Sequence, residues 1–301
     1  MQGVLSFTDF VDYIRENMEA AWEEGREIEV RRIRKNNGME LTALVLVRQD
    51  SSVSPTVYLE DYYQDYRNSG GEDPHPWFDL IMDRCRKADR SAGEMDLPDF
   101  SSFDSLKDQI VYRIISYERN REMLERSPHI RIHDLAVTFR CMVSVDDIAV
   151  ASAGITDEQI RGWGIGMQDL LLAAEENTRR IFPEQIIPLE DYLFPRTGED
   201  FCCEDMIYIA GNRQMVYGAA VILYEGLLDE FARRVDSNFY LLPSSVHEFL
   251  FVPDHGQFRL EELLAMVAEV NETVVSPQEF LSDSVYYYFK DQGRLICHER
   301  E

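Results

Sequence analysis

Basic residues are scarce in this chain of 301 residues, since 30 lysines and arginines stand against 56 aspartates and glutamates. The resulting formal net charge of −26 produces a field that repels phosphate backbones and anionic membrane surfaces. We therefore expect no direct binding of nucleic acid and no attachment to a membrane. The local run of basic residues at 31–35 is an exception, which we interpret as a solvated edge strand.

Cysteines are few and irregularly spaced. An odd number of them fits no disulfide framework, and no C-x-x-C pair points to zinc or redox chemistry. A reducing cytoplasm suits this pattern best, and the N-terminus lacks the basic and apolar segments of a signal peptide. Long apolar runs are also missing, because the longest, at 218–224, is far below the roughly 18 residues that a bilayer crossing needs. The five cysteines are Cys85, Cys141, Cys202, Cys203 and Cys297.

Familiar catalytic and cofactor motifs are lacking too. The sequence contains no G-x-S-x-G nucleophile elbow and no H-E-x-x-H zinc helix. The glycine-rich segment at 162–166 joins two predicted helices and has no Lys-Ser/Thr after it, so we interpret it as a helix C-cap and not as a phosphate loop. We expect the protein to use no cofactor.

The sequence does contain enough apolar material for a sizeable core, with 45% hydrophobic and 11% aromatic residues. Short alternating runs joined by tight turns are followed by segments with apolar residues three and four positions apart. This order predicts an α+β fold of mostly antiparallel sheets built from hairpins, with helices packed on one face. The order of two strands and a helix recurs at 39–66, 135–181 and 239–270.

A connector-like segment at 88–105 holds glycine, proline and several serines and aspartates. We place a domain boundary there, which gives an N-terminal α+β subdomain over 1–97 and a C-terminal α+β domain over 98–301. Within the second part, the apolar pattern predicts one strand over 130–143. It also predicts a nearly continuous, central helix over 219–235.

The segment 239–253 gathers reactive side chains at the turn of a predicted hairpin. Its Pro-Ser-Ser-x-His-Glu sequence places two hydroxyls, an imidazole and a carboxylate between two apolar runs. These are the residue types of a nucleophile, a base and an orienting group. The alternative is a hydrogen-bonded turn, in which a serine caps backbone amides and the histidine lies at a sheet edge. The candidate catalytic residues are Ser244, Ser245, His247, Glu248 and Asp254.

Metal binding has weaker support in the sequence. The candidate ligands are His247 and His255, with Asp254, Cys202 and Cys203 brought in by folding. No H-x-x-x-H helix is present, and adjacent cysteines seldom bind one ion together. We therefore expect no metal site.

Tyrosines cluster at 58–66 and at 286–288. Such side chains combine an apolar body with a polar tip, so they suit two different positions. They could pack in the core with their hydroxyls reaching the surface, or they could line a recognition surface.

Several phrases spread along the chain carry a resemblance to a known family. They are TVYLEDYY at 56–63, TDEQIRGWG at 156–164, YLLPSSVHE at 240–248, MVAEVN at 266–271 and LSDSVY at 281–286. The chain resembles an uncharacterised family of clostridial proteins from intestinal Firmicutes, one of the domains of unknown function. Because the phrases span most of the chain, the resemblance is to a full-length protein. It implies a source, but no reaction, cofactor or catalytic residues.

A well-patterned core without a catalytic fingerprint favours a cytosolic, non-enzymatic binding or interaction protein, with an acidic surface and a protein partner. Two alternatives stay open. One is a hydrolase or transferase with His247 as general base, assisted by a serine at 244 or 245 and by Glu248 or Asp254. The other is an acidic mimic of nucleic acid that engages a basic partner.

Overall fold

The computed structural model describes residues 4–22, 27–47, 54–94, 98–145, 150–193 and 207–300. The chain folds into two compact units, Met1–Leu97 and Pro98–Glu301. A domain boundary implies that the two parts fold independently. The boundary at 88–105 therefore stays a prediction. Within the described ranges, no helix combines the length and the apolar composition that a bilayer crossing requires.

The N-terminal unit combines a small sheet with helices. Its elements are α1 (Phe7–Ala21), β1 (Glu27–Arg34), a 3₁₀ helix (Asn36–Gly38), β2 (Glu40–Val47), β3 (Thr56–Tyr58), α2 (Glu60–Asn68) and α3 (His75–Glu94). The strands form an antiparallel sheet in the order β1-β2-β3, so the basic run lies on an edge strand as expected. Ser6 caps the start of α1, because its side chain accepts a hydrogen bond from the backbone N–H of Asp9.

The core of this unit forms around the first tyrosine cluster. Tyr66 is fully buried, and its ring stacks on Phe10 of α1 with 5.3 Å between ring centroids. Its hydroxyl donates to the carbonyl of Gly71 and accepts from the backbone N–H of Leu5. A buried tyrosine needs such partners for its polar tip. Tyr66 therefore packs in the core, which is one of the two positions that the sequence allows.

The C-terminal unit contains two antiparallel sheets. Its strands are β4 (Ile110–Ser116), β5 (His129–Ile132), β6 (Leu135–Val145), β7 (Val150–Gly154), β8 (Glu184–Pro188), β9 (Tyr208–Asn212), β10 (Phe239–Ser245), β11 (Glu248–Pro253), β12 (Val285–Phe289) and β13 (Arg294–His298). Its α-helices are α4 (Phe103–Leu106), α5 (Arg121–Leu124), α6 (Asp157–Trp163), α7 (Met167–Ile181), α8 (Leu189–Leu193), α9 (Leu227–Val235) and α10 (Leu260–Thr273). Short 3₁₀ helices cover Lys107–Gln109, Glu118–Asn120 and Gly218–Leu223.

The first of these sheets has β6 at its centre. β4 pairs with one edge of β6, and β5 and β7 follow one another along the other edge. The single strand expected over 130–143 is wrong, because the chain reverses at His133 and Asp134 to make the hairpin β5-β6. His133 adopts the left-handed conformation with φ of 55°. No glycine or proline marks this turn in the sequence, and the apolar alternation runs on through it.

The second sheet has the strand order β13-β12-β10-β11-β9-β8. One face carries α10, whose Leu263 and Val267 pack on Leu242 of β10. The opposite face carries Phe239 and meets α9 in the main core. Helices therefore cover both faces of this sheet, because both alternating sets of side chains along β10 are apolar.

The continuous helix expected over 219–235 is wrong. The chain forms a 3₁₀ helix, extends at Tyr224 and begins α9 only after Gly226. Gly226 has φ of 75°, a left-handed conformation that interrupts any helix. The hydroxyl of Tyr224 donates to the carbonyl of Phe182 at 2.7 Å, which fixes the break inside the core. Apolar residues on both sides of the break hide it in the sequence pattern.

The order of two strands and a helix is present at all three positions. The antiparallel pairs β2-β3, β6-β7 and β10-β11 are followed by α2, α6 and α10 respectively. The predicted C-cap is also found, since Gly164 ends α6 with φ of 70°. Helices and antiparallel sheets together make the fold α+β, as the sequence predicts.

Aromatic rings hold α9 against the six-stranded sheet. Phe231 lies edge-on to Tyr208, Phe239 and Phe251, with ring centroids 4.8 to 5.2 Å apart. It is 2% exposed. Edge-to-face pairs of this kind add to the free energy of burial.

We predict that Phe231→Ala lowers the free energy of unfolding by about 3–5 kcal/mol, because it leaves a cavity at the centre of these rings. Urea denaturation followed by circular dichroism measures the change. The control is Arg233→Ala, an exposed position of the same helix, where the change should stay within about 0.5 kcal/mol. Equal losses in the two variants would contradict this role for Phe231.

Candidate functional site

The candidate catalytic turn at 244–248 is a hydrogen-bonded hairpin corner. Ser245 donates its hydroxyl hydrogen to Oε1 of Glu248 at 2.9 Å and accepts from the backbone N–H of His247 at 3.0 Å. Ser244 lies at the bulge where the pairing of β10 with β11 shifts register. The structure thus brings Ser245 and Glu248 together, but the serine hydroxyl is directed to the carboxylate and not to the imidazole.

The imidazole of His247 is engaged elsewhere. Its Nδ1 accepts from the backbone N–H of Tyr217 at 3.2 Å, and its Nε2 lies 3.7 Å from Oε1 of Glu279. Accepting at Nδ1 requires the tautomer that carries its hydrogen on Nε2. His247 therefore links the hairpin corner to Tyr217, which is itself left-handed with φ of 55°.

Asp254 and His255 lie away from this corner, beyond the far end of β11. Six residues of extended chain separate Asp254 from Glu248, which corresponds to about 20 Å. Asp254 accepts from the hydroxyl of Tyr287 at 2.6 Å, and His255 is exposed. Cys202 and Cys203 fall outside the described residues. Among the residues that are described, no three histidines, cysteines, aspartates or glutamates lie close enough to hold one metal ion.

The thiols that the structure describes are protonated. Cys85, Cys141 and Cys297 are free. Burial raises the pKa of Cys85 to about 12 and that of Cys141 to about 11. Burial, followed by the nearby charge of Asp134, raises the pKa of Cys297 to about 12. A thiol attacks as its thiolate, so these three are poor nucleophiles at neutral pH.

A cluster that no sequence motif marks forms around Asp134, the second residue of the β5-β6 turn. Its Oδ2 accepts from the hydroxyls of Ser282 at 2.5 Å and Ser284 at 3.0 Å. Its Oδ1 accepts from the hydroxyl of Tyr286, and the thiol of Cys297 lies 3.8 Å from the same atom. The carboxylate is therefore surrounded by donors from a segment 148 to 163 residues further along the chain.

Tyr286 is the most buried member of this cluster. Removal from water, followed by the charge of Asp134, raises the pKa of Tyr286 well above its usual value of 10. The phenol thus stays protonated and keeps donating to Asp134. Its two neighbours behave alike, because three consecutive tyrosines each donate to a different aspartate. The pairs are Tyr286 with Asp134, Tyr287 with Asp254, and Tyr288 with Asp229.

A cavity of about 340 Å³ opens beside this cluster, and we call it the Asp134 cavity. Its volume falls within the range of small-molecule sites. Its lining contains carboxylates, guanidinium groups, serine hydroxyls and one aromatic ring. The lining residues are Ser116, Glu118, Arg119, Asp134, Phe280, Ser282, Asp283, Ser284, Glu299 and Arg300.

One wall of the cavity is a stacked cation. The guanidinium carbon of Arg119 lies 3.2 Å from the ring centroid of Phe280. Partial burial lowers the pKa of Arg119, while the charge of Asp283 opposes that change. Asp283 is in turn held by the side-chain amide of Asn271 at 2.8 Å. Arg119, Asp134 and Asp283 are thus held by neighbours before any ligand arrives.

No sequence motif predicts this site, although the sequence contains one signal of it. Ser282, Ser284 and Tyr286 alternate, so their hydroxyls fall on one side of an extended segment. This alternation identifies the hydrogen-bond donors of the cluster but not their acceptor. The acceptor, Asp134, becomes visible only when the reversal at His133 brings the turn to the other sheet.

Comparisons with known proteins show the family of this chain. The profile of a family of unknown function, DUF5688, matches residues 7–290. A search of curated proteins found no match, and a search of solved structures found none either.

The corner around His247 is packed too closely to accept side-chain atoms at Gly218. A Cβ there would collide with the carbonyl oxygen of His247 and lie 2.8 Å from the backbone nitrogen of Asn212. We predict that Gly218→Ala lowers the free energy of unfolding by about 1–3 kcal/mol in urea titrations, the usual cost of overpacking. Gly162→Ala is the matched control, because a Cβ at that helical position meets no atom within 4 Å. This control should keep or raise stability, and a stable Gly218→Ala would contradict the packing.

We predict that Tyr286→Phe lowers the free energy of unfolding at pH 7 by about 1.5–3 kcal/mol, the contribution of a hydrogen bond to a charged group. Tyr287→Phe, whose bond to Asp254 is part-exposed, should cost less. The folded pKa of Tyr286 lies above the unfolded value, so the contribution is complete below pH 10 and is lost as pH rises beyond it. Urea titrations at several pH values measure this difference. A difference that grows above pH 10 would contradict the assignment.

Proposed function

We propose, on the premise that this chain belongs to the DUF5688 family of unknown function, that it is a cytosolic, non-enzymatic binding protein. Its ligand is a small molecule or side chain that carries an ammonium group, and the Asp134 cavity binds it. The cysteines that the structure describes are all free thiols, which supports the proposal of a reducing, cytosolic environment.

The charge of the cavity lining supports an ammonium ligand. Four carboxylates line the cavity, from Glu118, Asp134, Asp283 and Glu299, against the two guanidinium groups of Arg119 and Arg300. An ammonium group donates three hydrogen bonds and is attracted by this excess of negative charge. The guanidinium groups supply complementary contacts for a carboxylate or carbonyl on the same ligand.

The hydrogen bonding around Asp134 supports binding rather than catalysis. Both carboxylate oxygens already accept hydrogen bonds from protein hydroxyls, so Asp134 is held in place within a fixed network. The hydroxyl of Ser282 donates to Asp134 and also accepts from the backbone N–H of Ser284 at 2.8 Å. A serine so engaged is an anchor and not an activated nucleophile.

The net charge of the whole chain supports the same class of ligand on a protein partner. A formal charge of −26 attracts basic surfaces over a distance and accelerates their encounter. A lysine of such a partner presents the ammonium group that suits the cavity. The protein partner expected from the sequence is thus compatible with the proposed site.

Calorimetric titration with L-lysine and putrescine, each compared with succinate at equal ionic strength, tests this proposal. We expect heat of binding for the amines and none for the dicarboxylate. Asp283→Asn preserves the shape of the side chain and removes one charge of the cavity, so it should weaken amine binding on the order of tenfold. The control is Asp291→Asn, an exposed position outside the cavity lining, which should bind as the unmodified protein does.

Two outcomes would refute the proposal. One is the absence of any amine binding to a protein that unfolds cooperatively. The other is equal affinity in the Asp283→Asn and Asp291→Asn proteins, because the amine would then bind outside the cavity.

A further inference from the structure

Two arginines lie side by side on the sheet that contains β4 and β6. Arg113 of β4 is paired with Thr138 of β6, and Arg140 follows two residues later on the same face. Both side chains are partly buried. Their guanidinium carbons lie 5.3 and 5.8 Å from the ring centroid of Tyr217, which contacts both.

The two cations lie near one another without a carboxylate partner in the part of the chain that the structure describes. Neither arginine forms an ion pair with any carboxylate of the described residues, although the chain carries 56 acidic side chains. Loss of water contact, followed by the charge of Arg140, lowers the pKa of Arg113 to about 10. Arg113 therefore remains charged at neutral pH, and the neighbouring charge of Arg140 repels it.

Polar atoms beside this pair also lack partners. The Nε of Arg113 and the Oγ1 of Thr138 are buried, and neither has a hydrogen-bond partner among the described residues. Thr138 is 4% exposed. Buried polar groups are nearly always satisfied, so an unsatisfied pair next to two like charges calls for an explanation.

The arrangement is held rigidly by its surroundings. Arg140 donates from Nε to the hydroxyl of Ser152 and from Nη2 to its carbonyl, both at 2.8 Å. Tyr217 shares a side-chain hydrogen bond with Arg113 and is fixed through its backbone by His247. The hairpin corner that carries the candidate catalytic residues thus helps to place the ring of Tyr217 beside the two arginines.

We propose that Arg113, Arg140 and Tyr217 form a binding site for a phosphate-type oxyanion, either free phosphate or the phosphoryl group of a small molecule. Two neighbouring guanidinium groups, which have no carboxylate partner among the described residues, match the charge and the several acceptor oxygens of such an anion. A phosphate would offset the repulsion between the two arginines. The site is separate from the Asp134 cavity, and the inference does not depend on the amine-binding proposal.

Titration of the full chain with inorganic phosphate, at an ionic strength held constant with sodium chloride, tests this site. Isothermal calorimetry gives the affinity, and broadening of the phosphorus NMR line reports binding independently of protein stability. Arg140→Gln should weaken phosphate binding on the order of tenfold, the loss of one charge-assisted contact. Arg140→Lys keeps the charge without the fork and should lie between Arg140→Gln and the unmodified protein.

Arg131→Gln is the matched control, because Arg131 is an exposed arginine of the neighbouring strand β5 that stacks on Tyr117. It loses the same charge outside the pair, so its affinity should stay within about twofold of the unmodified protein. Equal weakening in Arg131→Gln and Arg140→Gln would show a non-specific charge effect and overturn the site. Absence of line broadening with the unmodified protein would overturn it as well. Acetate that binds as tightly as phosphate would overturn the assignment to phosphate.

Discussion

The half-buried carboxylate of Asp134 is the constraint on which the C-terminal unit depends. It belongs to a turn of the four-stranded sheet, while the hydroxyls that satisfy it come from the segment that leads into β12 of the six-stranded sheet. A carboxylate taken partly out of water is tolerated only when hydrogen bonds replace the lost hydration. The two sheets are therefore joined at one alignment. Asp134, Ser282 and Ser284 also line the Asp134 cavity, so the same hydrogen bonds hold part of the candidate ligand site in place.

Much of the fold could be predicted from periodicity, and the failures have physical reasons. The apolar steps after Ser6 identify α1, and the alternation around the Pro-Ser-Ser turn identifies the hairpin β10-β11. Both errors occur where a left-handed residue changes the chain direction inside an uninterrupted apolar pattern. His133 does so without being glycine, and Gly226 does so within a sequence that reads as helix on both sides. The apolar periodicity of a segment predicts which residues are buried. It does not predict where one residue with a left-handed backbone conformation turns the chain.

The candidate sites were less predictable than the fold, because their groups meet only through tertiary structure. His247 was a candidate because serines and a glutamate are its neighbours in the sequence. Sequence neighbours rarely face one another with the geometry that catalysis requires. Asp134 and Tyr286 are 152 residues apart, and Arg113 and Arg140 meet because β4 and β6 pair in one register. A single sequence gives no means of pairing such positions. The alternating hydroxyls at 282, 284 and 286 were a usable sign of a donor set, although they do not name the acceptor.

The three successive tyrosines of β12 have a consequence for assembly. Their hydroxyls reach aspartates on both faces of the strand, since Tyr287 points opposite to Tyr286 and Tyr288. Sliding β12 by one position would exchange the faces and break all three bonds together. If two molecules exchanged this strand, β12 could pair with β10 of the other molecule through its backbone in more than one register. Only one register would form all three hydrogen bonds between the tyrosines and the aspartates. A strand exchanged between copies would thus have to keep the register that β12 has within a single chain.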